Sequence, residues 1–314
     1  MRLLPLLLTG CAASYAAPST EPKSCVDDGK PYEQKTLGDR VTFLAAKDLG
    51  GRVPGSDGDI AARAFIADKF ACLGLSPAGD DSGFQQAFTT AEKQTTANVV
   101  GFIKGSDKEV GSEIILIGAH HDHIGGKLLG ANDNASGVVA LLGVAQWFKQ
   151  QEHAPRRTIA FVTFGAEEQG MVGSQYFAAN PPGALPMDKV VQFINLDMVG
   201  SHKSKGFVAA MGSFAKQPAR KILDKIKKGY PKLNVGLGGR AARSDHTPFC
   251  KQGIPYVFFW TPDASCYHEA CDTADKIDLP RMADIAALAG ELGWSLSQSR
   301  DDLLASRKKL RCGQ

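Results

Sequence analysis

Five residues with metal-binding side chains lie along the middle of the chain, each after a short apolar run or in a turn that follows one: His120, Asp133, Glu168, Asp197 and His268. Imidazole nitrogens and carboxylate oxygens together form a donor set that suits zinc. Three carboxylates and a bridging hydroxide would balance the charge of two divalent cations, and neutral imidazoles would complete the shells. Because paired metals a few ångström apart are a recognised device for hydrolysis, the set predicts two zinc ions.

A second carboxylate, Glu167, is adjacent to Glu168. Neighbouring side chains diverge, so one of the pair can bind metal while the other faces the substrate. A general base must lie close to the activated water without coordinating the metal. The alternative interpretation of two adjacent glutamates is a solvated surface pair.

The tract from Gly118 to His123 offers three imidazoles for one predicted role. In an extended segment, side chains two residues apart share a face, so His120 and Asp122 should point together and His121 and His123 the other way. A metal-bound histidine usually has a carboxylate behind it. We therefore predict His120 as the ligand and Asp122 as its orienting partner. The alternative is a surface histidine cluster.

The remaining candidates each have a structural alternative. Asp133, at a helix start, would otherwise be only a helix-dipole partner. Asp197 ends an apolar strand, where a carboxylate is costly unless a cation or a salt bridge neutralises it. Tyr267, beside His268, is suited to donate a hydrogen bond to an oxyanion. In the segment 243–247, Ser244 or Asp245 is a candidate helix cap.

Strands and helices alternate along the chain, which predicts an α/β fold with a mixed, mostly parallel central sheet and helices on both faces. Helices are predicted near residues 37–48, 60–73, 136–150, 170–180, 216–228, 247–252 and 280–304, and strands near 85–90, 96–103, 113–118, 158–164, 190–196, 207–211 and 256–260. Ligands gather at the carboxyl ends of the strands in such sheets, and the candidate ligands follow predicted strands.

Size and composition are those of an ordinary globular protein. The chain has 314 residues, of which 43% are hydrophobic and 22% charged, and its net charge is +3. Basic residues are mixed with acidic ones rather than clustered, which argues against a nucleic-acid partner. We predict a single catalytic domain over residues 36–314, preceded by a tether over residues 11–35.

The first ten residues have the pattern of a targeting signal, with Arg2 before a short apolar stretch that is too short to span a bilayer. The following Leu8-Thr9-Gly10-Cys11 resembles a lipoprotein processing box. We therefore expect export to the periplasm or outer membrane, with membrane contact only through a lipidated Cys11. The alternative is a secretory signal cleaved near Ala16 and Ala17.

Cysteine usage agrees with export, because six of the seven cysteines remain if Cys11 carries lipid. An even number in an exported chain suggests disulfides. Cys266 and Cys271 are close enough to close a loop around His268. A bond between Cys25 and Cys312 would join the chain ends, and Cys72 is a candidate buried thiol.

Six motifs, GAHHD, GANDNASG, AEEQGMVGS, NLDMVG, SDHTPF and YHEACDT, together resemble the di-zinc exopeptidase family of bacterial leucyl aminopeptidases and glutamate carboxypeptidases. The resemblance covers roughly residues 40–300 and implies a three-layer zinc-exopeptidase fold.

The resemblance also implies roles for the matching residues. One zinc ion would be held by His120 and Asp197, and the other by Glu168 and His268, with Asp133 bridging the two. Glu167 would act as general base and then general acid, with Asp122 behind the ligands. Tyr267 and Arg243 match positions that contact the substrate carbonyl region in some members.

The implied activity is hydrolysis of N-terminal residues from peptides by a hydroxide bridging two zinc ions. An aminopeptidase is preferred because carboxypeptidase relatives often carry an inserted dimerisation domain for which this chain has no room, and a monomer is expected. The alternatives are a glutaminyl cyclase, which uses one zinc ion on the same scaffold, and a non-catalytic binding relative.

Overall fold

The computed structural model describes residues 29–240, 243–263 and 265–307. Its α-helices are α1 Gln34–Leu44, α2 Asp57–Cys72, α3 Gly137–Lys149, α4 Val172–Ala179, α5 Pro218–Ile226, α6 His246–Lys251, α7 Leu279–Gln298 and α8 Leu303–Arg307. Its strands are β1 Ser76–Pro77, β2 Gln85–Thr89, β3 Thr95–Ile103, β4 Ile114–His120, β5 Thr158–Phe164, β6 Val190–Leu196, β7 Phe207–Met211, β8 Asn234–Leu237 and β9 Tyr256–Trp260.

The strands form one mixed sheet in the order β1-β3-β5-β4-β6-β9-β7-β8, with β2 also paired to β3. The four central strands, β5, β4, β6 and β9, are parallel to one another. Antiparallel pairing joins β3 to β5 on one side and β7 to β9 on the other. The carboxyl ends of the central strands therefore meet at one edge, as the sequence predicted.

Alternate side chains of the central strands pack into two separate cores. Ile115 and Ile117 lie in a core with α1, α2, α3 and α7, whereas Ile114 and Leu116 lie in a second core with the aromatic ring of Phe249 from α6. Because β4 is buried on both faces, its sequence is a continuous apolar run. Helices thus cover both faces of the sheet, and the predicted three-layer α/β class is confirmed.

Two boundaries differ from the sequence prediction. Gln34 and Lys35, assigned to the tether, begin α1, and Tyr32 packs against the core, because the apolar stripe of α1 brings this segment onto α3 and α7. The long helix predicted to reach residue 304 ends instead at Gln298. There the buried Arg157 donates hydrogen bonds to the carbonyls of Leu296 and Ser299, which satisfies acceptors left free at a helix end.

Three cysteine predictions have different outcomes. Cys266 and Cys271 form a disulfide around His268, as expected. Cys72 is disulfide-bonded, so its prediction as a free thiol was wrong, and Cys250 is disulfide-bonded too. The predicted Cys25–Cys312 bond and the N-terminal signal lie outside the described residues. Within the described ranges, no helix combines the length and the apolar character that a membrane span requires.

Candidate metal centre

The carboxyl ends of the central strands bring the predicted ligands together. His120 is the last residue of β4, Asp197 directly follows β6, and Glu168 lies four residues after β5. Asp133 lies in the turn between β4 and α3, where its backbone is not helical, at a cis peptide bond to Asn134. His268 comes from the loop after β9, within the ring closed by the Cys266–Cys271 disulfide.

A first cluster is formed by His120, Asp133 and Asp197. The Nε2 atom of His120 lies 3.3 Å from Oδ1 of Asp133 and 3.4 Å from Oδ1 of Asp197. All three residues are buried. Burial alone lowers the pKa of His120. The carboxylates of Asp197, Asp122 and Asp133 together raise it by more, so the pKa lies well above its ordinary value. The cluster is therefore strongly negative and suited to a cation.

A second cluster lies on the other side of Asp133. The Nε2 atom of His268 is 3.2 Å from Oδ2 of Asp133 and 3.1 Å from Oε2 of Glu168. Asp133 thus directs Oδ1 to the first cluster and Oδ2 to the second. This is the arrangement that a bridging carboxylate requires.

The donor atoms fit zinc. Donors about 2.1 Å from a tetrahedral zinc ion lie about 3.4 Å from one another. The imidazole–carboxylate separations of 3.1–3.4 Å in both clusters match that spacing. In addition, Asp197 Oδ1 and His268 Nε2 are buried atoms whose neighbours at 3.1–3.4 Å do not have the geometry of a hydrogen bond, and no other described residue supplies one. Buried polar atoms are costly without a partner, and a bound cation would supply one.

Glu167 is adjacent to Glu168 in the chain, interacts electrostatically with His120 and Asp197, and belongs to neither cluster. Its side chain is half-buried. Burial raises the pKa of Glu167 to about 10, with a smaller contribution in the same direction from Asp245, Asp197 and Asp122, although His120 acts to lower it. Cations bound at the neighbouring clusters would lower this pKa toward the operating pH, where a general base works best.

The sequence profile of peptidase family M28 matches residues 98–292, more than half of the 314 residues. The chain belongs to peptidase family M28. This confirms the family resemblance that the six motifs predicted.

Curated relatives of this M28 peptidase include a leupeptin-inactivating enzyme and an aminopeptidase. It is 28% identical over 317 residues to Leupeptin-inactivating enzyme 1 of Streptomyces exfoliatus, covering 90% of this chain and 67% of that protein. It is 31% identical over 209 residues to Aminopeptidase YwaD of Bacillus subtilis, covering 63% of this chain and 43% of that protein. The chain thus spans about two thirds of the first relative and less than half of the second.

Solved structures share the fold at low sequence identity. An aminopeptidase from Aneurinibacillus sp. strain AM-1 matches with a TM-score of 0.69 and 20% identity, covering 84% of this chain and 94% of that one. The zinc aminopeptidase BSAP from Bacillus subtilis matches with a TM-score of 0.70 and 17% identity, covering 85% of this chain and 95% of that one. A glutaminyl cyclase from Porphyromonas gingivalis matches with a TM-score of 0.68 and 22% identity, covering 82% of this chain and 95% of that one. Because peptidases and a cyclase share it, the fold does not by itself choose between the two reactions.

His123 of the M28 peptidase lies at the second cluster. The sequence analysis did not predict this position. The Nδ1 atom of His123 is 2.8 Å from Oε1 of Glu168, while His121 Nε2 turns away to Oδ1 of Asp59 at 3.2 Å. The alternating-face argument was wrong because β4 ends at His120 and the next residues are irregular. His121 and His123 therefore do not share a face.

Asp122 acts on different atoms than expected. Its carboxylate oxygen is 3.7 Å from His120 Nδ1, too far for a hydrogen bond, and the Asp122 backbone carbonyl lies closer to that nitrogen, at 3.2 Å. The carboxylate instead accepts hydrogen bonds from the backbone N–H groups of Glu167 and Glu168, at 2.9 and 3.2 Å. Asp122 therefore fixes the two glutamates directly and His120 through its backbone.

A fully buried arginine, Arg52, joins the segment that follows His120 to the segment that precedes Asp133. Its guanidinium donates to the carbonyls of His121 at 2.7 Å, Leu129 at 2.8 Å and Gly130 at 2.8 Å. Burial lowers the pKa of Arg52 to about 10, and the surrounding carboxylates act in the opposite direction. The only sequence signal was an arginine in a glycine-rich turn, which gives no indication of its partners.

The turn that carries Asp133 is fixed by side chains of its own motif and by one distant carboxylate. Asp272 accepts from the backbone N–H groups of Asn132 and Asp133, at 2.7 and 3.0 Å. Asn134 donates to the carbonyl of Leu196 at 3.0 Å and accepts from the N–H of Met198 at 3.1 Å. The polar residues of GANDNASG thus tie the turn to the segment after β6 that carries Asp197.

Ser244 orients Asp197 rather than capping a helix. Its hydroxyl donates to Oδ2 of Asp197 at 2.7 Å and accepts from the Asn195 side chain at 2.9 Å. Asp245 precedes α6 without capping it and is fully buried, and burial raises its pKa to about 7. Both residues belong to the SDHTPF motif, whose role the sequence did not reveal.

Tyr267 and Arg243 are both exposed. Tyr267 is 50% exposed, and its ring stacks on His268 with centroids 3.8 Å apart. Arg243 is exposed, next to Ser244 in the chain.

Proposed function

We propose that the chain is a zinc aminopeptidase that removes N-terminal residues from peptides and uses two zinc ions. The observation that carries this proposal is the pair of donor clusters on either side of Asp133, with Glu167 beside them and outside both. Membership of family M28 and the aminopeptidase names of curated relatives support it.

The ligand assignment follows the two clusters. His120 and Asp197 would hold one zinc ion, Glu168 and His268 the other, and Asp133 would contact both. When bound, zinc would polarise the scissile carbonyl and make water a stronger acid.

The protein itself would supply proton transfer and binding. Glu167 would accept the proton of the attacking water and return it to the leaving amine. Asp122 holds the Glu167 backbone in place during both transfers. The free α-amine of a substrate is a cation, so the carboxylates of the centre attract that end of a peptide. Tyr267 and Arg243 would contact the substrate near its carbonyl.

The Glu167→Gln variant tests the assignment of the base. Glutamine keeps the shape but cannot accept a proton, so kcat on a leucine anilide should fall by at least about 100-fold while zinc content stays unchanged. Zinc is measured by mass spectrometry on the same preparations, with the exposed Gln175→Ala variant as a control. Unchanged turnover would refute the role of Glu167, and absence of zinc in the wild-type protein would refute the metal centre.

Digestion of a peptide library with mass readout tests the substrate class. Removal of single residues from free N-termini, but not from acetylated peptides, supports an aminopeptidase. Trimming from the C-terminus would instead indicate a carboxypeptidase. A peptide with N-terminal glutamine distinguishes the cyclase, because cyclisation releases ammonia and leaves the chain length unchanged.

We further propose that the chain is exported as a lipoprotein through Cys11. The motif Leu8-Thr9-Gly10-Cys11 and the disulfides at Cys72, Cys250 and Cys266 support an oxidising destination. When the chain is expressed in a bacterium fed a labelled fatty acid, the protein should carry the label and be found in the membrane fraction. The Cys11→Ala variant should carry no label and should be absent from the membrane fraction. Label-free protein in the medium would indicate the secreted alternative.

A further inference from the structure

The second cluster contains an imidazole that the proposed ligand set does not use. His123 is fully buried at its side chain and lies with Asp133 and Glu168 in a group whose potential ligand atoms are all within 4.8 Å of one another. Its ring is 5.7 Å from that of His268, so the two imidazoles approach Glu168 from different directions. Each contacts a different oxygen of that carboxylate, His123 at Oε1 and His268 at Oε2.

The protein makes room for this ring beside the metal centre. Gly130 has a φ of +62°, and a Cβ atom there would lie 2.2 Å from the backbone oxygen of Asp133 and 2.5 Å from Cγ of His123. A side chain at this position would collide with both the Asp133 turn and the imidazole. One ring nitrogen faces Glu168, and the other, Nε2, is buried with no hydrogen-bond partner among the described residues.

We propose that His123 is a zinc ligand, which makes the two metal sites unequal. The inference rests on the proposed two-zinc centre. The second site then has four protein donors, His123, His268, Glu168 and Asp133. The first has three, His120, Asp133 and Asp197. Zinc sites with four protein ligands are typically closed and tightly bound, whereas catalytic sites keep a position open for water or substrate.

Because the two sites differ in their number of protein ligands, the two zinc ions have different roles. The closed site retains its zinc and fixes the position of Asp133 and Glu168. The open site, next to Glu167, exchanges zinc more readily and accepts the substrate. Partial removal of metal should therefore abolish activity while one zinc ion per chain remains.

X-ray absorption at the zinc edge tests the ligand without any substitution. The fully loaded wild-type protein should show three imidazoles for its two zinc ions, from His120, His123 and His268. Two imidazoles would overturn the proposal, because His123 would then be only a hydrogen-bond partner of Glu168. A wild-type protein that binds no zinc would refute the two-zinc centre instead, so the two failures are distinguishable.

Chelator titration followed by metal analysis tests the asymmetry. Wild-type protein should lose one zinc ion well before the other, and His123→Gln should lose both over the same chelator range. We expect the affinity of the tighter site to fall by at least about 10-fold, since even the loss of an outer-shell partner costs that much.

The matched control is His121→Gln, a buried imidazole two residues away that pairs with Asp59. It should keep the wild-type order of zinc loss. Circular dichroism melting checks that both variants fold. Identical zinc loss in His123→Gln and the wild-type protein would overturn the proposal, and if His123→Gln does not fold, the absorption measurement on the wild-type protein decides alone.

Discussion

The metal centre is held from two sides that are built differently. The floor, formed by His120, Asp133 and Asp197, is at most 8% exposed. The rim loop, residues 265–271, carries His268 with a side chain that is 31% exposed and Tyr267 that is 50% exposed. The floor is fixed by strand ends and buried hydrogen bonds, whereas the rim loop depends on a short disulfide ring.

This difference separates two requirements of a peptidase. Donor atoms must be held to within a fraction of an ångström, which the sheet and the buried Arg52 achieve for the floor. A substrate must also enter and leave, so one side has to be open to solvent. The rim loop contributes a ligand from the open side. It is held by its disulfide and by Asp263, which accepts hydrogen bonds from the backbone N–H groups of Ser265 and Cys266.

The largest loss of stability is expected when the support of the floor is removed. Arg52→Met leaves several buried carbonyls without a donor and several carboxylates without their cation, so the free energy of unfolding should fall by about 3–5 kcal/mol. Urea unfolding measures it. Arg220→Met, which removes an exposed pair with Asp224, should cost less than about 1 kcal/mol. Equal effects of the two variants would mean that Arg52 does not support the floor.

A smaller effect is expected from loosening one floor ligand. Ser244→Ala removes the hydrogen bond to the Asp197 carboxylate and should cost about 1.5–3 kcal/mol in unfolding free energy. Zinc affinity of the first site should fall about 10–100-fold, measured by competition with a chelating dye. The control Ser213→Ala loses a buried hydroxyl that donates to Ala210, remote from the donors, and should leave zinc binding unchanged. Parallel losses of zinc in both variants would contradict the role of Ser244.

Opening the rim loop should affect metal binding more than the rest of the fold. The double variant Cys266→Ser with Cys271→Ser releases a small ring, for which loop entropy predicts a loss of about 2 kcal/mol in unfolding free energy. Zinc should be lost from the second site at lower chelator concentration, while the first site keeps its affinity. Simultaneous weakening of both sites would show that the rim loop and the floor are not independent.

The smallest change in stability is expected at the tip of the rim loop. Tyr267→Phe keeps the ring stacked on His268 and should change the unfolding free energy by less than about 0.5 kcal/mol. If the hydroxyl donates to the developing oxyanion, kcat should fall by about 10-fold or more with KM little altered. Steady-state kinetics on a leucine anilide measure both constants. A change in KM alone would assign Tyr267 to substrate binding only.

The sequence predicted the layered fold and the family because both depend on local patterns. The apolar run of β4 and the alternation of strands with helices follow from burial on both faces of a parallel sheet. The rule that ligands follow the strands then placed His120, Glu168 and Asp197 at one edge. Two predictions that failed, at His123 and at the end of α7, depended on where a regular element stops, which periodicity does not show.

The sequence by itself determined which residue types are available for zinc and in what order they follow the strands, since side-chain chemistry and strand periodicity are local properties. Only the tertiary structure decided which partners those residues meet. The contacts of Arg52 with residues 121–130, of Asp272 with the Asp133 turn and of His123 with Glu168 join segments far apart in the chain. Such contacts are set by the packing of the whole sheet, and no spacing in the sequence encodes them.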